Sequence, residues 1–214
     1  MKKMTKMSVN QNFSNYFLTA LVVFTVMIMS RLIPHPWNFT AIGAGSFLMP
    51  LIFSRAGFFE KLNSKFSIGE QFKNLFILVF SLAFSLIALL VSDLVLGFYE
   101  GVFFVYLATS LCLVLGFFFQ DTLSDVLSGR ETVTSSLKIA GGQGLGSLLF
   151  YVLTNFAVWF HLGMYPKTLA GLFQCYLMAL PFLKWQLLGD LFYLSILIGG
   201  IRVVKYFPYY TKRI

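Results

Sequence analysis

Long apolar stretches without charge alternate with short charged segments along this chain. Residues 185–201 are apolar except for Asp190, and five other windows contain no charged residue: 7–30, 32–54, 74–92, 101–120 and 139–166. Each can hold a helix of about 20 residues, the length that crosses a hydrocarbon core of about 30 Å. The pattern predicts an all-α membrane protein, a bundle of about six transmembrane helices.

The basic residues give this predicted bundle a direction. With six spans and a cytoplasmic amino terminus, 13 of the 16 lysines and arginines lie on the cytoplasmic side. The other three, Arg31, Lys167 and Lys184, lie outside. Because cytoplasmic loops are enriched in lysine and arginine, both termini are expected in the cytoplasm. The expected organisation is a cytoplasmic tail (1–14), one transmembrane domain (15–205) and a basic cytoplasmic tail (206–214).

Residues 168–183 form an uncharged stretch of 16 residues that ends around Pro181. Counting it as a span would place the basic residues of the carboxyl terminus outside and weaken the charge asymmetry. We therefore predict an extra short helix here, lying at the outer face or dipping into it.

Composition supports a lipid environment. Hydrophobic residues make up 58% of the chain and charged residues 11%, against about 25% charged in soluble domains. The net charge of +8 follows from basic loops and tails, so topology explains it better than a nucleic-acid partner. No small-residue cleavage site follows the first window, which favours an uncleaved span over a signal peptide. The expected location is a bacterial cytoplasmic (inner) membrane, with the lipid bilayer as the main partner.

No pattern of residues indicates catalysis or metal binding. Cys112 and Cys175 lie in apolar windows and are interpreted as small hydrophobic residues. The sequence contains no HExxH or CxxC motif, and no paired carboxylates or Ser-His-Asp order suggest hydrolysis. We therefore expect no catalytic site, metal or cofactor, and a protein that is not an enzyme.

Polar residues near the predicted outer face are the candidates for ligand binding, because polar groups at membrane depth are costly. Arg31, His35 and Asn38 belong to the link between the first two spans, which Pro34 and Pro36 stiffen. This link is either a ligand-facing loop or a rigid connector in which Asn38 or Thr40 caps the second helix. Asp93 closes the third window, where it either binds a ligand or pairs with Arg31.

The remaining candidates lie in the last third of the chain. Asn155 either bonds a neighbouring helix or faces a cavity, and Trp159 falls at the outer interface, where amphipathic rings prefer to lie. Lys167 either binds an anionic group or extends from the interface towards water. Asp190 is an intramembrane carboxylate, a functional candidate unless it is a structural partner of Lys167 or Arg31.

Small residues at a spacing of four predict close contacts between helices. Gly142 and Gly146 form a GxxxG pattern, and Ala41 and Gly45 repeat the spacing in the second window. The glycine-rich run at 141–146 is not interpreted as a phosphate loop, because no strand precedes it and no GK[ST] follows.

Several strings resemble an uncharacterised family of bacterial integral membrane proteins with a domain of unknown function. The resemblance covers roughly residues 20–200, and it is carried by RLIPHPWNFT (31–40), SDLVLG (92–97), TNFAVW (154–159), MYPKTLAG (164–171) and ALPF (179–182) with LGD (188–190). This resemblance implies membership of the family and no particular activity.

A looser resemblance concerns residues 180–190, LPFLKWQLLGD. This string is similar to one before the last span of many substrate-binding S components of energy-coupling factor (ECF) transporters, six-span proteins that bind vitamins or metal ions from the outer side. The likeness implies binding or transport of a small solute, with an ECF-type transmembrane and ATPase module as partner. Two departures weigh against that docking: the first span has only Ala20 where an Ala-x-x-x-Ala face is common, and Leu191 follows Asp190 where lysine is frequent. The alternative function is a membrane scaffold or assembly subunit.

Overall fold

The computed structural model describes residues 9–67, 69–130 and 132–211. Helices make up 84% of the described residues, which contain no strand. The all-α prediction is confirmed. The elements are α1 (Val9–Leu32), α2 (Ile42–Arg55), α3 (Phe58–Phe66), a 3-10 turn (Glu70–Phe72), α4 (Lys73–Leu96), α5 (Val102–Phe118), α6 (Gln120–Leu127), α7 (Val133–His161) and α8 (Leu169–Thr211).

The expected tails overlap the terminal helices. Helix α1 begins at Val9, inside the tail expected over 1–14, and α8 continues to Thr211, past the expected boundary at 206. The outermost parts of both tails, residues 1–8 and 212–214, lie outside the described residues.

Within the described ranges, four helices are long and apolar enough to cross a membrane: α1, α4, α7 and α8. Helices α5 and α6 bend by 65° at their junction and bring the number to five if they are counted as one span. The expected count of six is not confirmed, because the second window contains α2, a helix of only 14 residues. The protein is thus a multi-pass helical membrane protein with four or five candidate spans.

The short helix α2 lies at the centre of the bundle. Every residue from Ala44 to Phe53 is buried, and α1, α4, α5 and α8 all pack against it. A helix that is apolar on all sides is expected in such a position. Its contact with α5 is very close, since a Cβ atom on Gly116 would lie 2.0 Å from the Phe47 carbonyl oxygen.

The predicted separate helix over residues 168–183 is wrong. Residues 169–183 are the first part of α8, which runs without a break for 43 residues. In an apolar environment every backbone group needs an internal hydrogen bond, and Pro181 removes only one donor, so the helix continues through it. At 1.5 Å per residue α8 is about 65 Å long, twice the thickness of the hydrocarbon core.

Candidate functional site

A cavity of about 550 Å³ opens at one end of the bundle. It lies where α1, α4 and α7 end and where α2, α5 and α8 begin, so residues distant in sequence meet there. Five of the eight predicted binding residues line it: Arg31, His35, Asn38, Asn155 and Asp190. The other lining residues are Thr40, Ile42, Gly43, Leu89, Leu96, Tyr99, Val105, Phe150, Thr154, Val158, Met164, Tyr165, Cys175, Met178, Ala179, Phe182 and Gln186.

Asp190 lies at the inner end of this cavity and is 3% exposed. The hydroxyl of Ser147, on α7, donates a hydrogen bond of 2.7 Å to Asp190 Oδ2. Helix α2 passes so close that a Cβ atom on Gly43 would lie 2.3 Å from Asp190 Oδ1, so only glycine leaves room for the carboxylate. The Ala44 N–H and the Gln143 side chain also face it.

The alternative prediction, in which Asp190 is a structural partner of Lys167 or Arg31, is wrong. None of the ion pairs among the described residues includes Asp190, and both suggested partners make contacts elsewhere. The carboxylate is therefore surrounded by hydroxyl and amide groups, without a neighbouring cation.

The predicted pairing of Arg31 with Asp93 is confirmed. Arg31 Nη2 lies 2.6 Å from Asp93 Oδ1, and the Asp93 side chain is fully buried. Arg31 Nη1 also donates to Ser92 Oγ at 2.6 Å and to the Leu89 carbonyl at 3.3 Å. The Tyr106 hydroxyl faces the same carboxylate. Asp93 lies behind Arg31 and does not line the cavity, so this cluster ties α1 to α4 at the cavity wall.

The link between α1 and α2 forms part of the cavity rim. Helix α2 has no side-chain cap, so the prediction that Asn38 or Thr40 caps it is wrong. The N–H of Ala41 instead donates to Ser30 Oγ at 2.9 Å. Asn38 adopts a left-handed backbone with φ of 60°, which asparagine tolerates better than most residues. This turn places the Asn38 side chain at the cavity.

Three further candidates, Asn155, Trp159 and Lys167, lie in α7 or contact its last turn. Asn155 Nδ2 donates to the Tyr151 carbonyl at 2.8 Å within its own helix, and its side chain makes no hydrogen bond to another helix among the described residues. Trp159 Nε1 donates to the Pro166 carbonyl at 2.9 Å. Lys167 Nζ donates to the Trp159 and Phe160 carbonyls. Trp159 and Lys167 thus fasten the last turn of α7 to the following linker and do not line the cavity.

The predicted helix-packing residues all lie against a neighbouring element. A Cβ atom on Gly45 would lie 2.5 Å from Met27 of α1, and one on Gly142 would lie 2.9 Å from the Phe119 ring. Gly146 faces Cys112, whose thiol donates to the Gly146 carbonyl at 3.4 Å. Ala41 is fully buried.

Several residues that shape the cavity are not among the candidates predicted from the sequence. Gln186 lies one helical turn before Asp190, lines the cavity and is 6% exposed. Its Oε1 atom has no hydrogen-bond partner among the described residues. Gln186 and Ser147 are polar residues in otherwise apolar helices, which is the signal that identified Asn155, so the same reasoning could have found them.

Comparison with known proteins places the chain in a family. The model of a family of unknown function, DUF6580, matches residues 71–211, about two thirds of the chain and all of α4–α8. The chain therefore belongs to DUF6580, and the expected membership of an uncharacterised family is confirmed. No curated protein matches. No solved structure matches either, so a relation to ECF S components is not shown.

Proposed function

We propose that this member of DUF6580 binds a small solute in the cavity at the end of the bundle, without catalysing a reaction. The observation that carries the proposal is the cavity itself, about 550 Å³ in volume, with a buried carboxylate at its inner end. Ligand pockets are typically about 300–1,000 Å³, mainly apolar, with a few convergent polar groups. Asn38, Asn155 and Gln186 supply such groups in the same cavity as Asp190.

The proposed topology has six passes, with both termini in the cytoplasm and α2 as a short pass enclosed by its neighbours. Alternation supports it, since α1, α4 and α7 end at the cavity and α2, α5 and α8 begin there. Basic residues favour the cavity end as the outer face. Described basic residues at the opposite end are Arg55, Lys65, Lys73, Arg130, Lys138 and Arg202.

Uptake of the solute across a bacterial inner membrane, in the manner of an ECF S component, is the transport form of this proposal. A cavity that opens on the outer side supports it, because an uptake protein must first meet its solute there. Docking to an ECF-type module has weaker support, since α1 carries bulky residues such as Leu18 and Val22 on its exposed surface.

A membrane scaffold or assembly subunit is the second candidate. It is favoured by Gly199 and Gly200 of α8, around which a Cβ atom would meet nothing within 4 Å. Glycines on an open helix face allow a partner helix to approach closely. A scaffold, however, has no need for a polar cavity on the other side of the membrane.

Solute retention tests the proposal directly. The full-length protein is purified in detergent after incubation with a metabolite extract, and retained small molecules are identified by mass spectrometry. The test variant is Ala179→Phe, which fills the cavity from α8. The control is Ala83→Phe, the same change at an exposed position of α4. We expect retention by the wild type and the control only; equal retention by Ala179→Phe, or none by the wild type, would contradict the proposal.

A further inference from the structure

We infer that the solute carries a protonated primary or secondary amine and that the Asp190 carboxylate binds it. This inference rests on the proposed function and names the chemical class of the solute. Its basis is the charge balance of the cavity, together with the hydrogen-bond acceptors and aromatic rings that line it.

With Asp190 ionised and His35 neutral, the cavity carries a net negative charge. Arg31 and Asp190 are its only lining lysine, arginine, aspartate or glutamate side chains among the described residues. Arg31 is paired with Asp93 at 2.6 Å, so its charge is compensated from behind the cavity wall. Asp190 has no such partner among the described residues, so the cavity contains one acid without a counter-ion.

Because Asp190 is buried, its charge should discriminate strongly between cationic and anionic solutes. An ionised carboxylate is costly to remove from water unless a cation or several hydrogen bonds compensate it. Asp190 is 3% exposed, and the groups that face it, the Ser147 hydroxyl, the Gln143 side chain and the Ala44 N–H, are all neutral. A cation that enters the cavity would supply the missing compensation, whereas an anionic solute would add a second negative charge to an apolar environment.

The acceptors beside Asp190 favour an ammonium group with N–H bonds. Gln186 Oε1 is buried and has no hydrogen-bond partner in the part of the chain that the structure describes; Gln186 lies four residues before Asp190, on the same face of α8. A primary or secondary ammonium can donate to the carboxylate and to this amide oxygen together, and a quaternary ammonium can donate to neither. The pair would therefore recognise the N–H groups as well as the charge.

The rest of the lining suits an organic body on the amine. Tyr99, Tyr165 and Phe182 contribute aromatic rings to the cavity, and Trp37 stacks on Phe182 with ring centroids 5.1 Å apart. Aromatic faces attract organic cations and bury their apolar parts. A divalent metal ion suits this lining poorly, because the described residues contain no group of three or more His, Cys, Asp or Glu side chains.

Thermal unfolding of the full-length protein in detergent provides the test. The probes are phenethylamine, which is protonated at neutral pH, the neutral phenethyl alcohol, the anionic phenylacetate, and sodium chloride. We expect phenethylamine alone to raise the unfolding midpoint. Asp190→Asn should weaken its affinity about tenfold or more, as expected for loss of a charged hydrogen bond. Gln186→Leu should weaken it less.

Asp125→Asn is the matched control, because Asp125 is an exposed acid at the opposite end of the bundle. It should leave the response to phenethylamine unchanged. The inference is overturned if phenethyl alcohol or phenylacetate stabilises the wild type as well as the amine does, if Asp190→Asn binds the amine normally, or if no amine response occurs. A response to sodium alone that Asp190→Asn abolishes overturns it in favour of a monovalent cation site.

Failure of this inference and failure of the proposed function give different results. If the cavity retains neutral or anionic metabolites that Ala179→Phe loses, the binding function stands and the assignment of an amine is wrong. If Ala179→Phe retains the same molecules as the wild type, the binding function itself is wrong.

Discussion

Two carboxylates are buried in the apolar helices of this protein, and they have opposite surroundings. Asp93, in the last turn of α4, is fully buried 2.6 Å from the guanidinium of Arg31. Asp190, well inside α8, is 3% exposed and is bonded by the hydroxyl of Ser147. Both acids interrupt long apolar segments, yet only Asp93 has a cation beside it.

Their positions in the fold explain the difference. Asp93 lies at the end of the bundle where α1 also finishes, so the last turn of α1 can bring Arg31 across to it. Asp190 lies opposite Gly43 and Ser147, small residues of α2 and α7 that leave space and supply no charge. Burial alone therefore does not separate the structural acid Asp93 from Asp190, the residue that we propose binds the solute; the two differ in the presence of a counter-charge.

The largest effect is expected from Arg31→Met, which would leave Asp93 buried without its cation. Breaking one side of a buried ion pair typically costs about 3–5 kcal/mol of unfolding free energy. The measurement is denaturant titration of the protein in mixed micelles. Arg130→Met is the control, because its pair with Asp125 is largely exposed and should contribute about 0–1 kcal/mol. Equal losses of unfolding free energy in the two variants would mean that burial of the Arg31–Asp93 pair adds nothing to its contribution to stability.

Gly43→Ala should have the next largest effect, because its Cβ atom would lie 2.3 Å from Asp190 Oδ1. Either α2 or the carboxylate must move, and overpacking of this kind costs about 1–3 kcal/mol. The same titration measures it, with Gly141→Ala as control, since a Cβ atom there meets nothing within 4 Å. The control should gain up to about 1 kcal/mol from the helix preference of alanine. If both variants behave alike, α2 does not constrain the position of Asp190.

Asp190→Asn should act in the opposite direction to Arg31→Met when no solute is present. The amide keeps an oxygen for the Ser147 hydroxyl and removes a carboxylate that lacks a counter-ion. We expect the unfolding free energy to be unchanged or to rise by about 1–2 kcal/mol. A loss as large as that of Arg31→Met would show that Asp190 is a structural acid like Asp93, and the contrast between the two would fail.

The sequence predicted the candidate site better than the span count. Five of eight binding candidates meet in one cavity because polar residues in apolar helices cluster where they can face water or one another. The roles of Trp159 and Lys167 could not be predicted, since they depend on how the chain turns after α7. Gly43 was missed because its importance comes from a close approach to Asp190, which lies on another helix 147 positions later.

The errors in the fold have a common cause. Charge positions divide the chain into windows, but they do not show where a helix starts within a window. The second window holds a linker followed by the 14-residue α2, because Pro34 and Pro36 keep the first part extended. Conversely, the short uncharged stretch 168–183 suggested a separate helix, but α8 continues through Lys184. A lysine near the membrane surface can extend its side chain towards water without ending the helix.

The smallest effect is expected from Lys167→Met. Unlike Asp93 and Asp190, Lys167 is an exposed charge at this end of the bundle. Lys167 is exposed and donates to the last carbonyls of α7. A cation at a helix carboxyl terminus contributes about 0.3–1 kcal/mol, so the denaturant titration should show a loss of that size. Solute retention should be unchanged, because Lys167 does not line the cavity. Loss of retention with normal stability would instead place Lys167 in the binding site, where it would supply a positive charge and remove the reason for assigning a cationic solute to Asp190.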